Sequence, residues 1–255
     1  MSINLDEKWK RFYWKELYRK GWGIEINPDQ TKKEVEGVLE ILNPTSGAHI
    51  LDWCGGWGRH SIELAERGFN VTLLDFTPAH IKMAEVLAEE AGVGLNLVQA
   101  DFRETPANIQ ADFAINMFTA GIGHYTREDD TKALTSLYKA LKPGAKFLVD
   151  TMNLYWLVKN YQPRGWRESD DKKIRLFGKR EFDFWTGRNI SEETLAIVSQ
   201  EEQTMTLDIL VYTPAELAVV FREAGFVPIK LYGGFDGQKF SFDSRRIIMV
   251  SEKPE

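Results

Sequence analysis

A glycine-rich turn between an acidic strand and a helix is the part of this sequence best suited to binding chemistry. Asp52 lies in a short apolar run, and Gly55, Gly56 and Gly58 follow it before a helical pattern begins. Glycines let a ligand approach the backbone closely, and the first N–H groups of a helix are available to polar groups. The turn therefore predicts a ligand site, although a tight turn without a ligand has the same pattern.

Asp75 adds a second feature at a spacing typical of nucleoside recognition. It follows the next apolar run, roughly 20 residues after Asp52, where an acidic side chain in α/β folds accepts hydrogen bonds from a ribose diol. The sequence therefore predicts a ligand with an adenosine-like ribose. The structural alternative for Asp75 is a charge at the start of the helix that Pro78 begins.

The glycine turn lies in a segment where apolar runs alternate with helical patterns. Parallel strands need long crossovers, so strands that alternate with such helices build a sheet with helices on both faces. We predict an α/β fold with a doubly wound, mostly parallel, Rossmann-like sheet. The predicted strands are 49–53, 70–74, 95–99, 113–117 and 146–150, and the predicted helices are 31–42, 59–67, 78–91 and 128–141.

The pattern changes after residue 152, where three long runs predict an antiparallel β meander inserted after the fifth strand. These runs are 173–185, 189–200 and 201–211, and a helix at 214–224 and strands at 226–232 and 246–251 follow them. We predict one domain at 30–255, with residues 153–212 as an inserted β-rich cap. Residues 1–29 are predicted to be a lid, because their aromatic residues recur at helical spacing.

The turn and its neighbours resemble the class I S-adenosylmethionine-dependent methyltransferases. The first motif of that family is an acidic residue, an apolar residue and then Gly-x-Gly-x-Gly. Asp52, Gly56 and Gly58 match this motif, and Cys54 replaces the first glycine. The resemblance covers residues 30–152, and the segment 232–246 resembles bacterial small-molecule members.

The resemblance implies S-adenosylmethionine as the cofactor and a methyl transfer that demands no metal. Asp101 and Phe102 follow the third strand at the family's adenine-contacting position, and Asn116 begins the loop after the fourth. Arg59 can meet the carboxylate of the ligand, or it can simply be exposed. The predicted cofactor-binding residues are Asp52, Trp53, Cys54, Gly55, Gly56, Gly58, Arg59, Asp75, Phe76, Asp101, Phe102 and Asn116.

His124 and Tyr125 are the predicted catalytic residues. They lie in the loop after the fourth strand, where the resembled family keeps acceptor-facing groups. His124 is the candidate general base, because histidine accepts protons near neutral pH, and its alternative is a hydrogen-bonded loop residue. The predicted acceptor is a small molecule, with aromatic and amine compounds as candidates, because the eight tryptophans occur in three places that can converge on the site.

Three other functions stay open. An NAD-dependent oxidoreductase is less favoured, because its pyrophosphate would lie over the helix start, near Asp52, whereas an ammonium group is compatible with that carboxylate. Peptide or protein methylation is less favoured because Met117, Phe118 and Thr119 follow Asn116 in place of an Asn-Pro-Pro-Tyr signature. Binding of S-adenosylmethionine without turnover is the third alternative.

The composition limits the expected partners and location. The formal net charge is −6, so repulsion from phosphate groups argues against a nucleic-acid partner. Cys54 is the single cysteine, which excludes an intrachain disulfide and fits a reducing compartment. We find no secretory signal and no run of about 18 apolar residues, and we therefore expect a cytoplasmic protein without membrane attachment. The oligomeric state is left open.

Overall fold

Two sheets and six α-helices make up the part of the chain that the computed structural model describes, residues 28–169 and 172–255. The strands are β1 (His49–Trp53), β2 (Asn70–Asp75), β3 (Asn96–Gln99), β4 (Ala111–Asn116), β5 (Leu141–Met152), β6 (Arg164–Glu168), β7 (Ile174–Asp183), β8 (Arg188–Ile197), β9 (Gln203–Leu210), β10 (Val227–Tyr232) and β11 (Arg246–Glu252). The helices are α1 (Pro28–Leu42), α2 (Arg59–Glu66), α3 (Pro78–Ala91), α4 (Arg127–Ala140), α5 (Leu154–Lys159) and α6 (Pro214–Glu223).

The larger sheet has seven strands in the order β10-β11-β5-β4-β1-β2-β3. Strands β1 to β5 are parallel to one another, and β11 pairs antiparallel with both β5 and β10. The winding reverses between β1 and β4, and in open α/β sheets ligands bind outside the carboxyl ends of the strands at such a point. The predicted doubly wound, mostly parallel sheet is confirmed.

Helices cover both faces of this sheet and bury two hydrophobic clusters. On one face α1 and α2 pack on the sheet through Val35, Val38, Leu42 and Leu64. On the other face α4 and α6 pack through a cluster that includes Leu134, Leu137, Leu217 and Phe221.

Local signals fix where these helices begin and end. Thr126 starts α4 with a capping box to Asp129, and Thr213 starts α6 in the same way with Glu216. Helix α3 ends at Gly92, which adopts the left-handed conformation common after helices. The helices therefore hold the loops between strands at defined positions.

The segment inserted after β5 forms a separate antiparallel sheet with the order β6-β7-β8-β9. The predicted antiparallel meander inserted after the fifth strand is confirmed, but it has four strands and not three, because the sequence did not reveal β6, nor helix α5 before it. The sequence of β6 is Arg-Gly-Trp-Arg-Glu, which contains one large apolar residue and therefore lacks the apolar alternation that marks a half-buried strand. Its pairing with β7 determines its conformation.

One end of the inserted sheet rests on the loop that follows β4. Leu210 N donates to Gly123 O over 2.7 Å, and Arg188 Nη1 donates to Tyr125 O over 2.8 Å. Leu176, Leu195 and other apolar residues of this sheet join the same hydrophobic cluster as Tyr125. The insert therefore covers one side of the loop that contains the predicted catalytic residues.

The predicted lid, residues 1–29, falls almost wholly outside the described residues, since only Pro28 and Asp29 are described and both lie in α1. Strand β5 begins at Leu141, earlier than predicted, because Leu141 pairs with Ala111 of β4. Within residues 28–169 and 172–255, none of the helices has the length and apolar character needed to cross a membrane.

Candidate active site

The carboxyl ends of β1, β2 and β4 bring several predicted binding residues to one edge of the sheet. Trp53, Asp75 and Asn116 are the last residues of these strands. Asn116 Nδ2 donates to the backbone oxygen of Trp53 over 2.7 Å, which ties β4 to β1 where the winding reverses. Gly56 N donates to Asp75 Oδ2 over 3.0 Å, which ties the glycine turn to β2.

The glycine turn has three residues in the left-handed region: Cys54 (φ 64°), Gly56 (φ 59°) and Gly58 (φ 83°). Cys54 thus adopts a conformation that favours glycine, at the position where the resembled family has one. Burial and the neighbouring carboxylates raise the pKa of its thiol well above the usual value, so the thiol is neutral. A Cβ on Gly55 would lie 2.8 Å from Asp52 Cγ, whereas a Cβ on Gly56 would meet no atom within 4 Å. Packing therefore requires Gly55, while Gly56 borders open space.

We expect Gly56→Ala to separate ligand binding from folding. An alanine at this φ costs about 1–2 kcal/mol, and its methyl group would enter the open space beside the turn. Gly47→Ala is the matched control, because Gly47 has φ 72°, has no atom within 4 Å of a Cβ, and precedes β1 at the other end of that strand. Both variants should lose similar thermal stability. Only Gly56→Ala should weaken S-adenosylhomocysteine binding, by about tenfold or more in calorimetry. Equal binding by the two variants would remove Gly56 from the ligand site.

Asp75 is buried at the end of β2 and holds both the turn and the next helix. Its Oδ2 accepts from Gly56 N, while its Oδ1 accepts from Thr77 N over 2.9 Å and lies 3.2 Å from His80 Nδ1. An ionised carboxylate has about four acceptor positions, so a ribose hydroxyl can still bind here. These bonds orient the carboxylate before any ligand arrives.

Asp52 lies beneath the turn. It is 1% exposed, it accepts from Ser61 Oγ over 2.7 Å, and burial raises its pKa. Its carboxylate connects the strand before the turn with helix α2 after it. Asp52 therefore stabilises the turn by linking the elements on either side of it.

Three buried polar atoms at this edge have no hydrogen-bond partner among the described residues: Asn116 Oδ1, Thr77 Oγ1 and Thr119 Oγ1. An unpaired buried polar atom costs about 1–3 kcal/mol, and native proteins contain few of them. Asn116 Oδ1 is an acceptor and suits an ammonium donor, while Asp75 suits a ribose. Gly56 leaves room for the part of a ligand that connects the ammonium group with the ribose. The residues present therefore fit S-adenosylmethionine.

The loop after β4 has two consecutive left-handed residues, Phe118 (φ 62°) and Thr119 (φ 60°). Asp150 of β5 stabilises them, because its Oδ2 accepts from Phe118 N and its backbone oxygen accepts from Thr119 N, both over 2.9 Å. Arg246 of β11 donates from Nε to Asp150 Oδ1 over 2.6 Å. A buried ion pair between β5 and β11 thus determines the conformation of this loop.

His124 and Tyr125 are both buried in the second half of the same loop. His124 Nε2 lies 2.8 Å from Thr119 O, and a carbonyl oxygen only accepts, so Nε2 carries the proton and Nδ1 of the neutral ring has the lone pair. The ring of Tyr125 packs 5.7 Å from that of Phe102 and 4.4 Å from the guanidinium carbon of Arg103. The tyrosine ring belongs to the hydrophobic cluster, whereas the histidine ring is held by a backbone oxygen of its own loop.

Asp130 of α4 holds this loop from the other side. Its carboxyl oxygens accept from Gly123 N over 3.0 and 3.1 Å and from Tyr212 Oη over 2.7 Å. Burial raises the pKa of Asp130 to about 7, although those hydrogen bonds act in the opposite direction. Burial and the adjacent Asp130 also raise the pKa of Tyr212.

We expect Asp130 to make the free energy of unfolding fall as the pH rises from about 4 to about 7. In this window native Asp130 keeps its proton, whereas the unfolded residue, with a pKa of 3.8, has lost it, so a rise in pH favours unfolding. Urea unfolding measures the free energy of unfolding at about pH 5 and about pH 8. The fall in this free energy between the two pH values should be smaller for Asp130→Asn than for the wild-type protein.

Asp129→Asn is the control for that experiment. Although burial alone raises the pKa of Asp129, hydrogen bonds from Thr126 lower it below the ordinary value, so Asp129 titrates below this window. The control should keep the wild-type difference between the two pH values. If Asp130→Asn keeps it as well, the titration of Asp130 does not affect stability.

Arg59 begins α2 beside the turn and is anchored from α1. Its Nη1 donates to Glu34 Oε2 over 2.5 Å and to Thr31 Oγ1 over 2.9 Å, and His60 Nε2 lies 3.0 Å from the same Glu34 oxygen. Burial alone raises the pKa of Glu34, but His60 and Arg59 lower it to about 2. Glu34 is therefore ionised and holds Arg59 in one position.

The predicted aromatic residues lie mostly in the core. Trp53 is fully buried 5.4 Å from the ring of Phe102, and its Nε1 donates to Thr105 Oγ1 over 2.8 Å. Phe76 is half-buried beside Asp75.

Of the tryptophans predicted to converge, Trp166 is 67% exposed and Trp185 is 97% exposed, and Trp9, Trp14 and Trp22 lie outside the described residues. The carboxylate of Asp101 binds the backbone and guanidinium group of Arg103.

Four residues that shape this site were not predicted from the sequence: Asp130, Asp150, Thr119 and Arg246. A signal existed for Asp150, because it lies near the end of a predicted strand, as Asp52 and Asp75 do. Asp130 is one of three acidic residues in the first turn of α4, a common helix feature, so nothing marked it as buried. Within the described ranges, no group of three or more His, Cys, Asp or Glu side chains is placed to hold a metal ion.

An α/β sheet with its polar residues at a topological switch point is the architecture of nucleotide-cofactor enzymes. Residues 50–144 match the family described as "Methyltransferase domain". This segment, which contains the glycine turn and the ends of β1, β2 and β4, is therefore similar to the methyltransferase domains of that family.

Two curated relatives indicate the range of the family. The ubiquinone biosynthesis O-methyltransferase of Rickettsia canadensis is 32% identical over 129 residues, which are 50% of this chain and 52% of the relative. The demethylmenaquinone methyltransferase of Lactiplantibacillus plantarum is 26% identical over 212 residues, 80% and 78% of the two chains. The chain thus spans about half the length of the first of these relatives.

The solved structure of the CcbJ methyltransferase from Streptomyces caelestis has a similar fold. The TM-score is 0.80 at 15% sequence identity, and the match covers 94% of this chain and 96% of the other. The likeness therefore extends over nearly the whole chain.

Proposed function

We propose that this protein is an enzyme that transfers a methyl group from S-adenosylmethionine to a small-molecule acceptor. The observation that carries the proposal is the buried, unpaired Asn116 Oδ1, next to the glycine turn and at the switch point of the sheet. Asn116 Oδ1 accepts from the ammonium group of the cofactor, and Asp75 accepts from its ribose. When bound, S-adenosylmethionine supplies an electrophilic methyl group.

The residues on the acceptor side position the nucleophile and remove its proton. His124 Nδ1 is the proton acceptor where the nucleophile carries a proton, and the bond from Nε2 to Thr119 O holds the ring in the required tautomer. Asn189 of β8 has a buried Oδ1 without a partner among the described residues, on the end of the inserted sheet that rests on this loop. We assign Asn189 to the acceptor pocket.

The acceptor is a small aromatic or amine compound in this proposal. The names of the two relatives refer to ubiquinone biosynthesis and demethylmenaquinone, so phenolic and quinone-like rings are the first compounds to test. Small amines are the second group. The cytoplasmic location is still a prediction from the sequence.

Calorimetry with S-adenosylmethionine, S-adenosylhomocysteine and NAD tests the cofactor assignment. We expect affinities in the low micromolar range for the first two compounds, about 7–8 kcal/mol of binding free energy, and no binding of NAD. A screen of phenols, quinones and amines for production of S-adenosylhomocysteine then identifies the acceptor. A folded protein that bound NAD and neither sulfur compound would overturn the proposal.

A further inference from the structure

Two arginines from different parts of the chain approach the same aromatic ring beside the glycine turn. The guanidinium carbons of Arg59 and Arg246 each lie 5.6 Å from the centroid of the Phe118 ring. Arg59 follows the last glycine of the turn, Phe118 follows β4, and Arg246 begins β11 opposite the end of β5. The two guanidinium groups are therefore at most twice that distance apart, at the ligand-binding edge of the sheet.

A buried carboxylate binds each arginine. This carboxylate occupies only some of the N–H donors of the guanidinium group. Arg59 donates from Nη1 to Glu34 and Thr31, and Arg246 donates from Nε and Nη2 to the carboxylate and backbone oxygen of Asp150. No described residue accepts from Arg59 Nε or Nη2 or from Arg246 Nη1. The side chains are only 14% and 22% exposed, so both guanidinium groups are largely enclosed by the protein.

Two like charges near one ring repel each other unless a negative group accounts for their approach. Glu34 and Asp150 pair with Arg59 Nη1 and Arg246 Nε, which leaves the other N–H donors of both guanidinium groups for a further acceptor. Planar guanidinium groups with several donors suit the paired oxygens of a carboxylate. Positioned donors of this kind cost little further ordering when the ligand binds.

We propose that Arg59 and Arg246, both beside Phe118, form a binding site for a ligand carboxylate. The inference rests on the proposed function and extends it, because it adds a residue from β11 and a charge requirement for the ligand. Two sources can supply this group: the methionine part of the cofactor, or an acceptor that is itself a carboxylic acid.

Calorimetry separates the two sources. The probes are S-adenosylhomocysteine and its analogue without the carboxylate, and the proteins are the wild type, Arg59→Gln, the double variant Asp150→Asn with Arg246→Gln, and Arg67→Gln. The double variant removes both members of an ion pair, so that neither is left buried alone. Arg67→Gln is the matched control, because Arg67 ends the same helix and pairs with Glu36 and Glu63 on the surface.

If the carboxylate is the cofactor's, the wild type and the control bind S-adenosylhomocysteine about 10- to 100-fold more tightly than the analogue. The Arg59 and Arg246 variants lose this preference and bind the analogue as the wild type does. If the carboxylate is an acceptor's, all four proteins bind both probes alike. Benzoate, acetate or glycine then raises the melting temperature of the S-adenosylhomocysteine complex in the wild type and the control only.

Arg246→Lys provides a second test should the double variant unfold. It keeps the charge pair with Asp150 but loses the planar pair of donors. We therefore expect a partial loss of the effect that the wild type shows, which is either tighter binding of S-adenosylhomocysteine than of the analogue or stabilisation by the small carboxylates. The proposed site would be overturned if all the proteins had the same ratio of affinities for the two probes and the same melting-temperature shift with the small carboxylates. A wild-type protein that binds neither probe would instead overturn the methyltransferase assignment itself.

Discussion

Asp75→Ala should weaken S-adenosylhomocysteine binding by at least about a hundredfold. The hydrogen bonding that ribose donates to this charged acceptor is lost, and each such bond contributes about 1.5–3 kcal/mol. The variant also frees Gly56 N and Thr77 N, which the carboxylate holds in the described structure, so the turn loses its attachment to β2. Both effects act on the cofactor, and calorimetry with S-adenosylhomocysteine measures their sum.

Asp112→Ala is the matched control for this variant. Asp112 also accepts from a backbone N–H, that of His49, and from Lys142, but it lies near the start of β4, at the opposite end of the sheet from Asp75. The control should lose stability without losing affinity. Unchanged affinity in a folded Asp75→Ala protein would mean that Asp75 does not touch the ribose.

The central sheet was predictable because its pattern is local. Short apolar runs such as 49–53 and 70–74 are bounded by glycines and by helices with clear ends, so periodicity and turn residues placed them within a residue or two. The strand β6 was not predictable, because its conformation depends on pairing with β7 and its sequence is mostly polar. Non-local pairing of this kind leaves little trace in a short window.

Candidate site residues could be predicted where they belong to a sequence motif. They could not be predicted where their role depends on contacts with residues far away in the sequence. Asp75 was predicted from its spacing after Asp52, and Asn116 from the family resemblance, and the two residues end β2 and β4 at the same edge of the sheet. The role of Asp150 depends on two left-handed residues, Phe118 and Thr119, whose conformation no propensity predicts for these side-chain types. Arg246 lies 96 residues from its partner Asp150, so only the fold reveals that pair.

The loop after β4 is held in place from three directions. Asp150 binds its first turn, Asp130 binds Gly123 N, and Leu210 of the inserted sheet donates to Gly123 O. Left-handed residues cost about 1–3 kcal/mol each when they are not glycine, and such strain persists where the surroundings determine the conformation. This loop is therefore preorganised, as positioning of a reactive group requires.

His124→Ala should lower the rate of methyl transfer by about 10²–10⁴-fold, provided that the acceptor must lose a proton during the reaction. The ring donates from Nε2 to Thr119 O, so Nδ1 is the proton acceptor in the neutral tautomer. Affinity for S-adenosylhomocysteine should stay within about twofold of the wild type, because the proposed ribose ligand, Asp75, lies on a different strand. The assay uses the acceptor found in the screen, over roughly pH 6 to 9.

A general base and a packing residue differ in what their loss changes. Loss of a base lowers kcat at saturating acceptor and removes the rise of rate with pH, whereas loss of packing lowers the melting temperature and leaves the rate of the folded fraction intact. His49→Ala is the control, since His49 is half-buried, lies 2.7 Å from Thr72 Oγ1, and begins β1 at the far end of the sheet. If His124→Ala methylates at the wild-type rate across the pH range, proximity alone accounts for the transfer, because holding a nucleophile against the methyl group is itself worth several orders of magnitude.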